Sequence, residues 1–262
     1  MDYSISFAQK SDELSLKRLF LNCFDDTLGF VNMFFSHHFV PENTVCVYLD
    51  DKIIGQTHLL SCSVNGRQCF YIYGVCVDAE YRNKGIGKAM LEYICRECEK
   101  RGFSVLLHPQ NEGLFDFYYK CGFSPCGFWK EETITPSGEP CDLTPIDAAE
   151  YKEIRDERFK NKNPLVWDEV SVEYALYQEA FFGFTAYKTE KGDIVLAGCE
   201  DGETYIKETT AEGDELIRVA AAVQKKLGGE TVRVLLPGKE TDTPCGFGVG
   251  APANIYMNLL LD

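Results

Sequence analysis

The sequence predicts an α/β (α+β) protein: a mixed, mostly antiparallel sheet flanked by helices, built as two similar domains in tandem. Three observations carry this. Residues 71–107 read as strand, glycine turn, helix and strand, an order that makes a right-handed crossover between parallel strands. The stretch before it, 44–77, reads as a meander of antiparallel strands, with Asn65-Gly66 as its hairpin dipeptide. The same order then returns in the second half, where GETVRVLLPG (229–238) lines up with RGFSVLLHP (101–109).

Taken in order, Ser4 to Ala8 is a short first strand, and Ser11-Asp12-Glu13 opens a helix whose apolar face is Leu14, Leu16, Leu19, Phe20 and Cys23. A second helix carries Leu28, Val31, Met33, Phe34 and Phe35, with His37-His38 at its C-terminal end, where cations are favoured; we read both as structural or surface residues. Strands at Thr44–Leu49, Ile53–Leu60 and Tyr71–Val77 follow. After Gly85 and Gly87, Ile86, Met90 and Ile94 fall on one helical face as far as Lys100, and Gly102 stops the helix. Phe103–Leu107 is a strand, Glu112–Lys120 an aromatic-rich helix ended by Gly122, and Phe123 begins a strand toward Thr133. The turn-rich Thr135–Pro140 marks a boundary, giving domains at 1–134 and 143–262 joined by a linker at 135–142.

Composition narrows the class. In 262 residues, 45% are apolar, enough for real cores, with no apolar run of membrane-spanning length and no signal-peptide pattern at the N-terminus. The expected setting is cytoplasmic. The twelve cysteines are scattered through strands and helices, which fits free, mostly buried thiols; Cys95-x-x-Cys98 has no second pair at metal spacing, so no metal is expected. A net charge of -15 opposes binding to nucleic acid or anionic membrane and either suits cationic small molecules or merely keeps the protein soluble. Within that field Arg82, Lys84 and Lys88 form a local positive island.

The island surrounds the turn Arg82-Asn83-Lys84-Gly85-Ile86-Gly87-Lys88. Two glycines at a helix start place free backbone N–H groups and the positive end of the helix dipole together, a site suited to phosphate or pyrophosphate. A plain tight connection is the competing explanation.

Val77-Asp-Ala-Glu-Tyr-Arg-Asn-Lys-Gly-Ile-Gly87, followed after one helix and one strand by Asn111-Glu-Gly-Leu-Phe-Asp-Phe-Tyr-Tyr-Lys-Cys-Gly-Phe123, resembles the two hallmark motifs of the GNAT superfamily of acyl-CoA-dependent N-acyltransferases. The resemblance covers roughly residues 3–132. It implies the GNAT fold, acetyl-CoA (coenzyme A) as acyl donor, and transfer of acetyl to a primary amine of a small molecule or peptide by direct attack. A non-catalytic acyl-CoA sensor or scaffold is the alternative. It further implies that Val75 and Val77 offer backbone groups to the pantetheine arm and thioester. The backbone of Arg82, Asn83, Lys84, Gly85, Ile86, Gly87 and Lys88 would wrap the pyrophosphate. Tyr118 matches the tyrosine that protonates the departing thiolate; a core tyrosine is the other reading. Asn111 matches a position that touches the cofactor or orients its loop, or else serves as a helix N-cap, and Lys120 reaches the cofactor phosphate or offsets the helix dipole. The general base stays open among His108, Glu80, a water relay through Tyr71 or Tyr73, and the C-terminal carboxylate of Asp262, which some tandem members use. Oligomeric state is open between monomer and homodimer.

The second half repeats the element order without the chemistry. Helices at 147–160 and 171–182, strands at 184–189, 194–199 and 203–209, a helix from Asp214 to Leu227 and a strand at 231–236 reproduce the first half. Where the first half has its basic glycine turn, this one has Ala211-Glu212-Gly213-Asp214, whose carboxylates repel pyrophosphate. Cys245–Gly250 reads as a glycine-rich loop and Asn254–Leu261 as a final strand. The second half is therefore read as a degenerate GNAT-like domain that shapes the acceptor pocket.

Overall fold

The computed structural model describes residues 1–259; Asp262 and the end of the expected final strand lie outside them. The chain divides into two compact units, residues 1–124 with 247–251, and residues 125–246 with the stretch that begins at Pro252.

The first unit runs β1 (Ser4–Phe7), α1 (Glu13–Cys23), α2 (Leu28–His38), β2 (Thr44–Leu49), β3 (Lys52–Val64), β4 (Arg67–Val77), α3 (Ile86–Lys100), β5 (Ser104–Leu107) and α4 (Phe115–Lys120). β1 to β4 pair antiparallel in sequence order, and β4 and β5 pair parallel across α3. Apolar spacing decides which face of α3 is covered. Ile86, Met90, Leu91, Ile94 and Cys98 are buried against Val45, Ile54, Ile72, Val105 and Leu107 of the sheet. The helix Glu112–Lys120 expected from sequence is a 3-10 turn at Glu112–Leu114 followed by α4.

α1 and α2 bring an aromatic group to β3 and β4. Leu16, Leu19 and Phe20 form the buried stripe of α1, and the Phe34 ring of α2 lies 4.7 Å from Tyr73 and 4.8 Å from His58. The Thr44 hydroxyl donates to Val40 O, so it accepts from His58 Nδ1 at 3.1 Å, and His58 Nε2 has no hydrogen-bond partner. A proton on that nitrogen would be a buried charge without an acceptor. Burial, aided by His38, therefore drives the His58 pKa down to about 3.

The second unit runs β6 (Ser124–Ile134, of which Ser124 counts with the first unit), β7 (Leu143–Pro145), α5 (Ala148–Phe159), β8 (Leu165–Trp167), α6 (Glu169–Phe181), β9 (Thr185–Thr189), β10 (Ile194–Glu200), β11 (Glu203–Thr209), α7 (Asp214–Leu227), β12 (Val232–Pro237) and the start of β13 (Thr243–Val249, of which residues 247–249 count with the first unit). β7, β9, β10 and β11 pair antiparallel in that order, β11 and β12 pair parallel across α7, and β6 pairs antiparallel with β12. This is the first unit's connection repeated. Asp147 and Asp168 cap α5 and α6, accepting from Glu150 N and Ser171 N. A buried ion pair, Arg155 Nε to Glu208 Oε2 at 3.0 Å, holds α5 against β11, and the Tyr151 hydroxyl donates to the same carboxylate.

Three further features differ from the sequence expectation. β6, grouped above with the first domain, hydrogen-bonds along β12, so the division falls at 124/125 rather than within Thr135–Pro140. Cys245–Gly250 is not a loop: it lies largely in β13, and Phe247, Gly248 and Val249 pair with Leu107, Leu106 and Val105 as the strand beyond β5. The glycine at 248 serves that approach, since a Cβ there would sit 3.0 Å from Leu106 Cδ2 and 3.0 Å from Val105 O of β5. Third, the described part of Asn254–Leu261 is no continuous strand. It makes single bridges at Ile255 and Tyr256, and beyond them side-chain bonds replace a ladder.

His58 makes stability depend on pH. An unfolded imidazole titrates near 6.5 while the folded one titrates near 3, so the unfolded chain binds the extra proton between those values. Its contribution is complete above about pH 6.5 and declines as pH falls, by about 1.4 kcal/mol per unit. Urea unfolding at pH 7 and pH 5 is expected to show about 2 kcal/mol of pH-dependent loss that His58→Gln lacks. Equal pH dependence in both proteins would contradict the assignment.

Candidate active site

The centre of the first unit is where β4 leaves β5. Parallel pairing covers Cys69, Phe70 and Tyr71 against Ser104, Val105 and Leu106, and β4 then continues through Ile72–Val77 without β5 beside it. The cause is local. The β3–β4 register shifts between Gln56 and His58, and the bulge opposite contains Gly74 at φ +64. A Cβ at Gly74 would sit 2.8 Å from the Phe20 ring, so α1 presses on the strand where only glycine fits. The Thr57 hydroxyl donates to Tyr73 O at 2.9 Å and pins the bend from the neighbouring strand. Divergence of two parallel strands leaves backbone N–H and C=O groups of β4 available on the edge that β5 vacates.

The open strand leads to the start of α3. Asp78 caps a 3-10 turn at Ala79–Tyr81, accepting from Glu80 N at 3.1 Å and pairing with Lys52 at 2.7 Å. Asn83 and Gly85 both have positive φ, and Gly85, at φ +79, is the N-cap of α3 with no side-chain cap bond. Nothing lies within 4 Å of where its Cβ would be. The first intrahelical bond is Ala89 N to Gly85 O, which leaves the N–H groups of Ile86, Gly87 and Lys88 in the uncapped first turn. The Ile86 side chain is buried beneath it.

The charged side chains are partly engaged. Arg82 Nε donates to Val77 O at 3.0 Å, Lys84 Nζ donates to Glu80 O at 2.8 Å, and Lys88 lies 3.7 Å from Glu92. Val77 O thus already has a donor, and the Cys23 thiol approaches it at 3.6 Å as well. Val75 and Val77 are half-buried, with side chains against the α3-side core.

Tyr118 of α4 is 6% exposed, ringed by Phe117, Phe123 and Phe247. Burial, then the Cys121 thiol, pushes its pKa up to about 12. It is a protonated phenol across the physiological range. Tyr119 is exposed, as expected for an adjacent helical position, and Lys120 ends α4 in solvent. Asn111 makes no cap bond to the turn it precedes. His108 follows β5 directly and is half-buried; the Glu80 carboxylate stands 3.9 Å from Lys52 Nζ; Asp262 lies outside the described residues. The sequence reading gave Phe20 and Cys23 only as part of the apolar face of α1 and Phe247 as part of a loop, and it did not single out Gly74. A glycine inside the apolar run YIYGVCV was the available signal for the last.

The matching position of the second unit is closed. β11 and β12 also part after three pairs, but there Asn258 Nδ2 donates to Lys207 O at 3.4 Å and Leu235 O at 3.1 Å, between the diverging strands. A cleft of about 600 Å³ remains at the start of α7, with Glu132, Lys162 and Glu212 on its wall and Lys162 ion-paired to Glu212. Asp214 and Glu215 occupy the first turn of α7.

Residues 12–123 match the model of the acetyltransferase (GNAT) family. The chain is 34% identical over 88 residues to N-alpha-acetyltransferase 50 of Danio rerio, covering 32% of this chain and 52% of that protein. It is 28% identical over 87 residues to glucosamine 6-phosphate N-acetyltransferase of Trypanosoma brucei brucei, covering 32% and 59%. The chain thus spans little more than half the length of these relatives. A probable N-acyltransferase from Enterococcus faecalis V583 shares the fold at TM-score 0.72 and 15% identity, over 95% of this chain and 72% of that one. The mixed, largely antiparallel sheet flanked by helices is the GNAT fold. Among the described residues no helix is long and apolar enough to cross a membrane, and no cluster of three metal-ligating side chains occurs.

The bulge gives a stability test. Gly74→Ala is expected to cost about 2 kcal/mol or more, from the left-handed backbone and the ring contact together. In urea unfolding, Phe20→Leu in the same chain is expected to relieve part of that cost, so the double variant loses less than the sum of the singles. Strict additivity would mean that Phe20 does not press on the bulge.

Proposed function

We propose that the first unit binds acetyl-CoA along the open edge of β4 and transfers its acetyl group directly to a primary amine of a small molecule or peptide. The observation that carries this is one continuous feature: a strand edge freed at Gly74 that ends at the start of α3, where the N-cap residue is Gly85 and no side chain caps the first turn. The residues present suit the donor's chemistry. The N–H groups of Ile86, Gly87 and Lys88, with the guanidinium of Arg82 and the ammonium groups of Lys84 and Lys88, form a cationic cradle for pyrophosphate. Asn83 and Gly85 supply the backbone turn that points those groups outward, and Lys120 adds positive charge at the end of α4. Val77 O already accepts from Arg82 Nε, so the backbone N–H groups of Val75 and Val77 and the Val75 carbonyl are read as the contacts to the pantetheine arm. Asn111, with no cap bond to make, has its amide available to a ligand.

Acetyl-CoA supplies an activated thioester whose sulfur leaves as a thiolate. Tyr118, kept protonated by burial, donates to that sulfur, and an N–H of β4 stabilises the developing oxyanion. The amine must lose a proton, and of the candidate bases His108 is carried forward, since Glu80 faces Lys52 and lies at the phosphate end. The acceptor is read as cationic. The net charge is -15, and the α1–α2 connection carries Asp25 and Asp26, where burial and then Asp25 raise the carboxyl pKa of Asp26. Of the two relatives named above, one is named for N-alpha-acetylation and the other for glucosamine 6-phosphate, and neither acceptor is carried over. The second unit is read as a GNAT-like copy whose equivalent cleft is filled by Asn258.

Acetyl-CoA at a hundred times its dissociation constant is expected to stabilise the protein by about 2.7 kcal/mol in thermal unfolding, with no shift from ATP or NAD. Tyr118→Phe is expected to lower kcat for CoA release with amines about 100-fold while leaving the acetyl-CoA KM nearly unchanged. Binding of acetyl-CoA without CoA release for any amine would replace this reading with that of an acyl-CoA sensor.

A further inference from the structure

We propose that the cleft at the start of α7 is a second ligand site, one that takes an organic ammonium ion with an apolar body. The cleft has a volume of about 600 Å³, and its walls belong to the second unit. Ile134 of β6 and Leu236 of β12 stand on one side, and Leu216 and Ile217 of α7 on the other. Ile134 and Leu216 are part of the buried core of this unit, while Ile217 and Leu236 are only partly covered and leave apolar surface for an occupant. The space exists because the chain entering α7 is small. Ala211 and Gly213 line it, and Gly213, at φ +56, has nothing within 4 Å of where its Cβ would be.

The charges on the rim select a cation. Side chains alternate along a strand, so Glu132 lies on the same face of β6 as Ile134 and lines the same cleft. Its Oε1 accepts from Lys130 at 2.5 Å, and among the described residues its Oε2 has no partner. Glu212, at the entrance to α7, pairs through Oε1 with Lys162 and likewise keeps Oε2 open. Lys162 is thereby engaged, and Asp214 in the first turn of α7 offsets the positive helix end. Three carboxylates, Glu132, Glu212 and Asp214, stand against two ammonium groups, Lys130 and Lys162. An anion would be repelled by that excess, whereas an ammonium ion finds an open carboxylate oxygen on each wall.

The first unit has the opposite charge at the same step of its fold. Both helices start after a glycine with positive φ and without a side-chain cap, but Gly85 is set among Arg82, Lys84 and Lys88 and Gly213 among carboxylates. Because Asn258 fills the gap between β11 and β12, the ligand of the second unit is confined to the helix-start end. The repeat keeps the recess and changes what it holds. This inference does not rest on the acyl-transfer reading, and it involves binding alone.

The test follows backbone amide shifts by NMR in the isotope-labelled full chain, with phenethylammonium as the probe and phenylpropionate, an anion of similar shape, as the comparison. Phenethylammonium is expected to shift the amides of residues 132–134 and 211–217 saturably, and phenylpropionate to leave them in place. Glu132→Gln and Glu212→Gln are each expected to weaken that binding about threefold, the scale of a partly exposed ion pair. Lys162→Gln is expected to tighten it about threefold, because Glu212 is released; a gain of affinity also shows that the variant is folded. Shifts at these residues with phenylpropionate but not phenethylammonium, no shift with either, or ammonium binding that Lys162→Gln weakens would each overturn the proposal.

Discussion

The contact between the Phe20 ring and the backbone at Gly74 is the constraint from which the candidate site follows. β4 begins as an ordinary inner strand, paired to β3 on one side and β5 on the other. At Gly74 the ring of α1 comes so close that no side chain fits, the register shifts, and the strand turns its far half away from β5. The backbone of Ile72–Val77 is then open on one edge at the point where the chain heads for the glycine turn. The packing of an aromatic residue on one helix therefore decides what the far edge of a strand can bind. The same helix ends in Cys23, so its position also sets which groups reach Val77 O.

The two units show that this topology is not sufficient for a site. Both have an antiparallel meander, a crossover helix and a parallel pair that holds for three residues before parting. In the first, the parting strands lead to an uncapped helix start with Arg82, Lys84 and Lys88 around it. In the second they receive the Asn258 amide, which satisfies two carbonyls that a bound molecule would otherwise meet, and the helix start carries Glu212, Asp214 and Glu215. Hydrogen bonding closes the gap and charge repels a phosphate.

Much of this was legible in the residues because it rests on local signals. The apolar spacing of Ile86, Met90 and Ile94, the Asn65-Gly66 hairpin and the basic glycine turn each report on a few neighbouring positions, and the corresponding elements are present. What escaped depends on partners distant in sequence. Cys245–Gly250 resembles a loop because its glycines suggest turns, yet they are small to admit neighbouring atoms, and the strand at 247–249 exists because β5 offers it an edge. β6 pairs with a strand a hundred residues away, which no local pattern near Thr135–Pro140 announces.

Amide hydrogen exchange of the full chain with and without acetyl-CoA tests the central claim most directly, because it reports where along the backbone a ligand sits. The account predicts slower exchange on binding in Ile72–Val77 and at Ile86–Lys88, with no change at Lys207–Thr209 or the start of α7. Protection confined to the second unit, or binding of acetyl-CoA that leaves Ile72–Lys88 unchanged, would contradict it.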